Sequence, residues 1–560
     1  MYRSHRRDRG TDREKRRADQ GFALVAVVMT IAVLTLFMLT ALAYTLNAMS
    51  PARRSQDAKA AEQAAVAGVD EYLSRLNTND NYWKLGNDDS ANAAFTAAGT
   101  TIQGTTDDAG NSTAARYSYQ VLSSTSDTTT TGKIRIRVTG MSGPPNNSST
   151  VKRVLTAELS RSGLLDFVYL SDIENIDPDL YAQTNGSACA NYYYTNGNVA
   201  ARPRTGCSDI QWGANDVVNG PLHSNDALWI TGQVTFTSSK TETSWPATKG
   251  AAEGTKTWWG TQGAPLTGKA PVYADTLALP TSNNDLLKHV APNIDEDKKV
   301  GKGCYYAGAT RIVLQGTQMK VLSPSTTMST TPSRCYNTST PKVEQLVDIP
   351  PVIYVDSTAT SCTFGALGYP ASNELYTNSG NSATAWETAV VYNRSTYRYE
   401  TVNYACGRGT VFVSGNASTQ VTVAGADDVV VVGDLTVDSL TGINVIGLIA
   451  GNCVWVYHPV KSSSGLPVNL NSSANVSTIQ AAILALRHSF VVQNWSAGAW
   501  LGTLTVNGAI AQKFRGPVGT SAPAGYTKNY VYDGRLTYTQ PPYFLSPTNS
   551  PFKVLTLSDG

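Results

Sequence analysis

The side chains that most often do chemistry in proteins are scattered in this sequence. The five histidines show neither His-Glu-x-x-His nor His-x-His spacing, so they indicate no metalloprotease motif; they are His5, His223, His289, His458 and His488. His223 stands close to Asn225 and Asp226, and the three side chains could form an acid–base cluster. We interpret this stretch instead as a turn of a stacked β structure, whose imidazole and amides bond to the backbone of adjacent coils.

Acidic residues gather at two places. Asp172, Glu174, Asp177 and Asp179 could ligate calcium, which takes several oxygen ligands, or could form a solvated loop around a proline. The pair Asp427-Asp428 lies between two strand-like runs and is most simply a turn. A glycosidase or lyase would need two carboxylates across a cleft, which the sequence does not demonstrate. We predict no catalytic residue, no metal site and no cofactor.

A third candidate is a glycine-rich stretch with a lysine. Gly263 to Lys269 resembles the first seven positions of a phosphate-binding loop, but Ala270 replaces the hydroxyl that would ligate magnesium. Pro271 would interrupt the helix that must follow. We therefore reject nucleotide binding at this position.

The element that organises the chain is the apolar run from Phe22 to Leu46, which contains no charge, proline or glycine. A helix of this length spans about 37 Å at 1.5 Å per residue, and a hydrocarbon core is about 30 Å thick. A bilayer leaves no water for unpaired backbone groups, so the segment must be helical. We predict a single membrane span over residues 22–46.

The residues before this run set its orientation. Residues 1–20 hold eight Lys or Arg and four acids, and the first turns after Leu46 are close to charge balance. The positive-inside rule predicts a cytoplasmic N-terminus and an extracellular bulk. Without residues 1–21 the net charge changes from +2 to −2, so nothing favours nucleic acid as a partner.

The junction Gly21-Phe22, after a basic leader and before the apolar run, resembles the class III signal of type IV pilins and type II secretion pseudopilins. The resemblance implies that a prepilin peptidase cuts after Gly21 and methylates Phe22, and that major and minor pilin subunits are partners. It also implies that the apolar helix stays on the mature protein.

One position departs from the usual pilin pattern. The fifth residue of the mature chain would be Ala26, where pilins carry glutamate. The opening Gly21-Phe-Ala-Leu-Val25 resembles PilX-type and K-type minor subunits instead. The segments 220–226, 447–452 and 456–459 also look like parts of large PilX-like proteins of Gram-positive bacteria.

The alternative is an ordinary secretory signal cleaved at Ala41-Leu42-Ala43. Its apolar core would be longer than usual, because the uncharged run begins at Phe22.

The seven cysteines include no Cys-x-x-Cys pair, which argues against zinc and thioredoxin-like sites. An exported location permits disulfides, and six cysteines lie in loop-like surroundings. Their connectivity cannot be deduced from the sequence; pairing of neighbours would give Cys189–Cys207, Cys304–Cys335 and Cys362–Cys406. We predict that Cys453, in an apolar run, is a buried free thiol.

The spacing of apolar and turn residues predicts an α+β protein. We expect a leader (1–21), a membrane-spanning and amphipathic helix (22–79) that kinks or restarts at Ser50-Pro51, a small pilin-like β domain (80–161) and a large β domain (162–560). In the small domain the predicted strands are Arg116–Leu122, Lys133–Thr139 and Val151–Ser160.

The large domain contains short β-rich runs about 6 to 10 residues apart, separated by Gly, Asn or Asp. Few hairpin signals occur, which favours an irregular right-handed parallel β-helix, with a sandwich as the alternative. The predicted strands are 228–237, 311–321, 411–414, 421–424, 429–432, 435–437, 445–450, 454–457, 479–486, 489–493 and 504–510.

Together these features predict a minor pilin-like subunit with a structural and adhesive role, at the tip or initiating end of a fibre on the cell surface. The alternative is a surface β-helix protein, anchored by the same helix, that binds or cleaves polysaccharide. Aromatic residues such as Trp258-Trp259 and Trp500 could bind an extracellular glycan or another surface ligand, or could pack in the core. The sequence does not identify the adhesive target.

Overall fold

The structure is a computed structural model. It describes residues 11–560 except 80, 103–114, 144–149, 162, 182–185, 193, 196–197, 200–205, 214–215, 231, 233, 239, 245–257, 261–270, 291–302, 327–331, 341–342, 359–387, 394–397, 404–406, 459, 464–465, 470–475, 521–523 and 548–549. The chain divides into two compact units, residues 1–122, 135–159 and 554–560 in the first and residues 123–134 and 160–553 in the second. The protein is α+β, an N-terminal apolar helix followed by a large β-rich region.

Helix α1 (Thr11–Thr78) is 68 residues long. Its segment Leu24–Ala43 is long and apolar enough to cross a membrane, and its side chains are exposed. The hydroxyls of Thr30, Thr35 and Thr40 donate to carbonyls one turn earlier, as at Thr30 Oγ1–Ala26 O (2.8 Å). The threonines therefore satisfy their polar groups within the helix, as expected for a segment in an apolar medium.

Of the two outcomes expected at Ser50-Pro51, the restart is wrong, because α1 continues through both residues, and the kink stays a prediction. A proline removes one backbone donor, and the helical hydrogen bonds on either side suffice to hold this long helix together. The predicted end of the helix at residue 79 lies one residue beyond the observed last residue, Thr78.

The first unit packs the C-terminal part of α1 against a five-stranded sheet. Its strands, in sheet order, are β1 (Thr100–Thr101), β2 (Arg116–Val121), β3 (Lys133–Ser142), β4 (Val151–Arg161) and a C-terminal strand, Phe552–Asp559. The first three strands pair antiparallel. Short 3₁₀ helices at Tyr82–Leu85 and Ala93–Phe95 connect α1 to the sheet.

Small residues let α1 approach this sheet closely. The buried face of the helix carries Ala61, Ala64, Ala65 and Gly68. A Cβ on Gly140 of β3 would lie 1.8 Å from the carbonyl oxygen of Ala61, so only glycine fits there. Towards the C-terminal end of α1 the buried face carries larger residues, which are Val69, Tyr72 and Leu76.

The second unit is dominated by strands. They are β5 (Tyr169–Ile173), β6 (Tyr194–Thr195), β7 (Asn198–Val199), β8 (Val217–Asn219), β9 (Leu222–Ser224), β10 (Leu228–Ile230), β11 (Thr235–Phe236), β12 (Thr241–Thr243), β13 (Trp258–Gly260), β14 (Val272–Tyr273), β15 (Cys304–Ala307), β16 (Thr310–Gly316), β17 (Gln318–Leu322), β18 (Gln345–Asp348), β19 (Val352–Asp356), β20 (Thr388–Asn393), β21 (Arg398–Asn403), β22 (Val411–Ala417), β23 (Val421–Gly425), β24 (Val429–Val437), β25 (Ile446–Ala450), β26 (Val454–Val456), β27 (Val460–Ser463), β28 (Leu466–Asn469), β29 (Thr478–Ile479), β30 (Ala482–Ala485), β31 (Phe490–Val492), β32 (Trp500–Phe514) and β33 (Gly525–Tyr532).

The helices among the described residues of this unit are short. They are α2 (Thr125–Thr131), α3 (Gly186–Cys189) and the 3₁₀ helices Leu164–Asp166, Asn284–His289 and Gly534–Thr537.

Twenty-one of the described strands form one large sheet. One column of parallel strands runs in the order β15, β19, β23, β25, β30, β32, β5, β9, β12 and β14. A second column begins with β16, β22 and β24, also parallel, and continues through β26 to β31 and through β29, β32, β33 and β8 to β11.

Apolar residues of similar size stack in register along the first column of strands. Val423, Leu448, Ile483 and Ile510 are successive cross-strand partners, and all four are fully buried. Each therefore packs against a neighbour of similar size, which accounts for the apolar runs without any strict sequence repeat.

Some of the strand predictions differ from the structure. The runs 228–237 and 479–486, each predicted as one strand, are divided into β10 and β11 and into β29 and β30. The run predicted as one strand at 311–321 is an antiparallel hairpin, β16 and β17, because Gly316 adopts φ +69° and reverses the chain. The runs 429–432 and 435–437 form one strand, β24, whose register against β22 shifts at a bulge between Val413 and Gly415. The C-terminal strand of the first sheet, Phe552–Asp559, was not predicted from the sequence.

Candidate functional site

The most concentrated polar chemistry in the second unit lies where strands of the first column turn into strands of the second. We call this region the polar corner and define it as residues 171–177, 223–226, 425–428, 451–453, 487–489 and 512–515. Because the strands are parallel and in register, consecutive turns lie beside one another. Gly451 N–H donates to Gly425 O (2.9 Å), and Leu486 N–H donates to Ala450 O (3.1 Å).

The innermost charges of the polar corner are Glu174 and Arg515. Arg515 Nη1 donates to Glu174 Oε2 at 2.9 Å, and both side chains are almost completely buried. The guanidinium carbon lies 3.9 Å from the ring centroid of Trp212, and its other donors reach the carbonyls of Ile210 and Gln211. A buried ion pair needs such additional partners, so this one fixes the turn rather than leaving a charge free to react.

Asp172 is held by three partners. Lys513 Nζ forms an ion pair with its Oδ2, while Tyr192 Oη and Asn225 Nδ2 donate to its Oδ1 at 2.6 Å and 2.7 Å. Burial, followed by the Asp172 charge and hydrogen bond, raises the pKa of Tyr192 far above its usual value. The phenol therefore stays protonated and acts as a donor.

The interpretation of the stretch around His223 as a turn bonded to neighbouring backbone is confirmed in part. Asn225 bonds to the backbone of Leu277 in both directions, at 2.8 Å each, as expected of a turn amide. The imidazole of His223 instead contacts side chains, Asn225 Oδ1 at 2.9 Å and Glu242 Oε2 at 3.4 Å. His223 is 1% exposed, so it lies within the packing of the corner.

Asp177, Asp179 and His488 form a further group of interacting side chains. Asp177 is fully buried, its Oδ2 lies 2.7 Å from His488 Nδ1, and its Oδ1 accepts from Asp179 N–H at 2.9 Å. One ligand atom from each residue lies within 4.8 Å of the others, close enough to hold a metal ion. Burial lowers the pKa of His488, but the hydrogen bond to Asp177 and the charges of Asp177, Asp428 and Asp179 outweigh it and raise the pKa.

Three of the four acids considered as calcium ligands thus each have a different cationic partner. Asp172 pairs with Lys513, Glu174 with Arg515, and Asp177 with His488. Only Asp177 and Asp179 share a group, so the full set does not form one oxygen cage.

Asp427 and Asp428 lie side by side in one turn, and Arg408 Nη2 contacts both, at 3.4 Å and 3.2 Å. Burial alone would raise the pKa of Asp427, but donors from Ser357 and Gly409 and the charge of Arg408 lower it. Burial raises the pKa of Asp428. Asp428 Oδ1 accepts from Cys453 N–H, and Asp427 Oδ1 accepts from Asn452, so both carboxylates tie one turn to the next.

Among the cysteines that the structure describes, two disulfides form, Cys189–Cys207 and Cys304–Cys335. Both match the pairing of neighbouring cysteines in the sequence. Cys453 is a buried free thiol, and burial raises its pKa well above the usual value. Cys362 and Cys406 lie outside the described residues, so their bridge remains a prediction.

Other predicted sites also lie wholly or partly outside the described part of the chain. The glycine-rich stretch 263–269 is outside it. Gly21 and Phe22 lie within α1 as backbone, and Trp258 and Trp259 lie within β13 as backbone.

Sequence reasoning missed the basic half of the polar corner. Lys513 and Arg515 come at the end of β32, whose preceding residues Ala509, Ile510 and Ala511 are fully buried. Charged residues that directly follow a buried apolar run could have been recognised as partners for the acidic cluster, but the ion pairs join residues 341 positions apart.

No protein-family model matches the chain, and no curated protein matches it. Among solved structures, the competence-associated pilin ComZ from Thermus thermophilus aligns with 90% of this chain and 97% of that chain, at 12% identity and a TM-score of 0.26. These values are too low to establish a shared fold, so the functional argument rests on the chain itself.

Proposed function

We propose that this protein is a minor pilin-like subunit, with a structural and adhesive role, of a type IV pilus-like or pseudopilus fibre. The main support for the proposal is the long helix α1. A single helix extends from the basic leader through an exposed apolar segment, Leu24–Ala43, into a face that packs on a small antiparallel sheet. One long helix with a small sheet is the layout that the Gly21-Phe22 resemblance implies.

The exposed part of α1 suits both a bilayer and a helical fibre core. Large side chains along it are between half and three quarters exposed, for instance Leu36 (66%) and Phe37 (70%). In water such a surface would be unfavourable, at about 25 cal/mol for each Å² of apolar area. Lipid before assembly, and neighbouring pilin helices after it, would remove this cost.

The second unit supplies the proposed adhesive part. Its parallel columns favour an irregular right-handed β-helix over a sandwich, because sandwiches are built mainly from antiparallel strands. Large side chains exposed on this unit include Trp500 (56%) and Tyr538 (59%), which could contact a glycan or another surface ligand. An anchored polysaccharide-binding protein remains the second candidate on the same observations.

N-terminal sequencing of the protein purified from its own membranes tests the proposal. We expect a mature chain that begins at Phe22, methylated by a prepilin peptidase. Gly21→Val should leave the precursor uncut, whereas Gly10→Val, a matched change elsewhere in the leader, should be processed normally. A chain that begins at Tyr44 would establish the secretory alternative and overturn the fibre proposal.

A genetic test separates fibre assembly from glycan recognition. Deletion of the gene should reduce the number of fibres on the cell surface if the protein acts in assembly. Unchanged fibres, together with loss of polysaccharide binding or cleavage, would favour the second candidate.

A further inference from the structure

An unusual lysine faces the core of the second unit. Side chains of a strand alternate between its two faces, so Lys528 of β33 shares a face with Tyr526 and Tyr530. Both tyrosines belong to the main core and are 4% exposed. The Lys528 side chain is itself only 18% exposed, which is low for a lysine on a β-strand.

A carboxylate lies opposite this lysine on the neighbouring strand. Strands β33 and β8 are parallel, with Tyr530 paired to Val218 and Val531 paired to Asn219. The same register, two residues earlier, places Lys528 opposite Asp216, and Lys528 Nζ lies 3.5 Å from Asp216 Oδ2. Gly213 N–H donates to that same oxygen at 2.9 Å and fixes the carboxyl group.

The surroundings of the pair are aromatic and short of water. The ring centroid of Trp212 lies 5.4 Å from Lys528 Nζ. The positive charge of Arg515 and the negative charge of Glu174 also act on the lysine, with opposite effects on its pKa. Burial lowers the pKa of Lys528, and the charge of Asp216 opposes this only in part. The amine is therefore closer to its neutral, nucleophilic form than an exposed lysine would be.

We propose that Lys528 and Asp216 become joined by an intramolecular amide bond. Lys528 first passes one proton to the Asp216 carboxylate, which gives a neutral amine and a carboxylic acid. Nζ then adds to Cγ of Asp216, and a new N–C bond forms. Nζ loses a second proton, the C–OH bond of the carboxyl group breaks, and this proton and the hydroxide leave together as water. No oxidant, reductant or cofactor takes part.

Three physical features favour this step. Lys528 Nζ is already held against the Asp216 carboxyl group, 3.5 Å from its Oδ2, so the reaction avoids the entropy cost of a bimolecular encounter. The Gly213 N–H is placed to stabilise negative charge on Oδ2 when the amine adds. A lysine–carboxylate ion pair that is largely withdrawn from water keeps a desolvation penalty on both charges, which a neutral amide does not carry.

The bond would tie β8 to β33, two neighbouring strands that are far apart in the chain. Residues 217–527 would then form a covalently closed segment, which would resist unfolding and proteolysis. The proposal does not depend on whether the chain assembles into a fibre.

Peptide mapping of the full-length protein, after reduction, alkylation and denaturation, tests the bond. Trypsin cannot cleave after an acylated lysine, so residues 516–535 should stay uncut at Lys528. They should appear joined to residues 205–240, with a combined mass one water lower than the sum of the two peptides. Cleavage after Lys240 in the same digest serves as the internal control.

The variant Asp216→Ala should restore cleavage after Lys528 and remove the joined peptide. Because the digest is made on denatured protein, this result does not require the variant to be stable. Free residues 205–240 in the wild type, with normal cleavage at Lys528, would overturn the proposal. An uncut Lys528 in Asp216→Ala would also overturn it, since the lysine would then carry some other modification.

Discussion

At the scale of single residues, the Glu174–Arg515 pair is the most sensitive contact of the polar corner. Both side chains are almost completely buried, so removal of one charge leaves the other desolvated and unpaired. For Glu174→Gln we expect the free energy of unfolding to fall by about 3–5 kcal/mol. The measurement is the midpoint of chemical unfolding of the detergent-solubilised protein.

The exposed pair Asp285–Lys288 provides the control for this prediction. Its side chains are 81% and 61% exposed, so Asp285→Asn should cost less than about 1 kcal/mol. Equal effects of the two substitutions would show that burial of Glu174 and Arg515 does not matter energetically.

Two histidines should give pH dependences of opposite sign. The pKa of His488 is raised, so its contribution to stability is complete below its unfolded pKa, about 6.5, and is lost as the pH rises through the folded pKa. Burial lowers the pKa of His289 to about 4, with a further contribution from the Lys288 charge, so its contribution is complete above pH 6.5 and is lost as the pH falls towards 4.

The measurement compares the unfolding free energy of the wild type with those of His488→Gln and His289→Gln across this pH range. The difference caused by His488→Gln should shrink as the pH rises above 6.5. The difference caused by His289→Gln should shrink as the pH falls below 6.5. The same pH trend for both variants would contradict the assigned environments.

At the scale of elements, the contact between α1 and its sheet depends on Gly140. A Cβ at this position would lie 1.8 Å from Ala61 O, a backbone atom that cannot move without the helix. We expect Gly140→Ala to lower the stability of the first unit by about 1–3 kcal/mol, the usual cost of overpacking. The measurement is the rate of proteolysis of the segment after Thr78, which should be faster in Gly140→Ala because the helix packs less tightly on the sheet.

Gly534→Ala is the matched control, because a Cβ there meets no heavy atom within 4 Å. It should leave protease sensitivity unchanged. If fibre assembly or extraction from the membrane changes in Gly140→Ala and not in Gly534→Ala, the contact between α1 and its sheet is needed for these properties.

Elements whose signal is local could be predicted from the sequence. The apolar periodicity of α1 predicted its end within one residue, and strands β2, β3 and β4 appear close to their predicted bounds. The expected restart at Pro51 was wrong, because a local cue was outweighed by the length of the helix around it. Local patterns thus defined most elements, and errors arose where one residue was given too much weight, as at Pro51, or too little, as at Gly316.

Contacts between distant parts of the chain could not be predicted. Asp172 and Glu174 looked like metal ligands or a solvated loop until Lys513 and Arg515, more than 300 residues away, were brought beside them. The pairing of β33 with β8, which sets Lys528 opposite Asp216, is equally non-local. Such neighbours follow from the order of strands in the sheet, which no short sequence window contains.

At the scale of the whole molecule, the position of Ala26 leads to a prediction about the fibre. If Phe22 becomes the mature N-terminus, its methylated amine remains cationic, and burial of that charge among apolar helices is costly unless it is paired. The fifth-residue glutamate of pilins is understood to neutralise the amine of a neighbouring subunit. Ala26 offers no carboxylate, although a glutamate on another subunit could still neutralise the amine of this chain.

Such one-sided pairing suits a subunit at one end of a fibre and does not suit a repeating one. The second unit, which comprises residues 123–134 and 160–553, points the same way, because its bulk would crowd every position of a thin fibre. We therefore predict a few copies per fibre, all at one end, visible by immunogold labelling with an antibody against the second unit. Labelling along the whole shaft would refute this. So would self-polymerisation of the wild type combined with unchanged assembly of Ala26→Glu, since the missing carboxylate would then have no bearing on position.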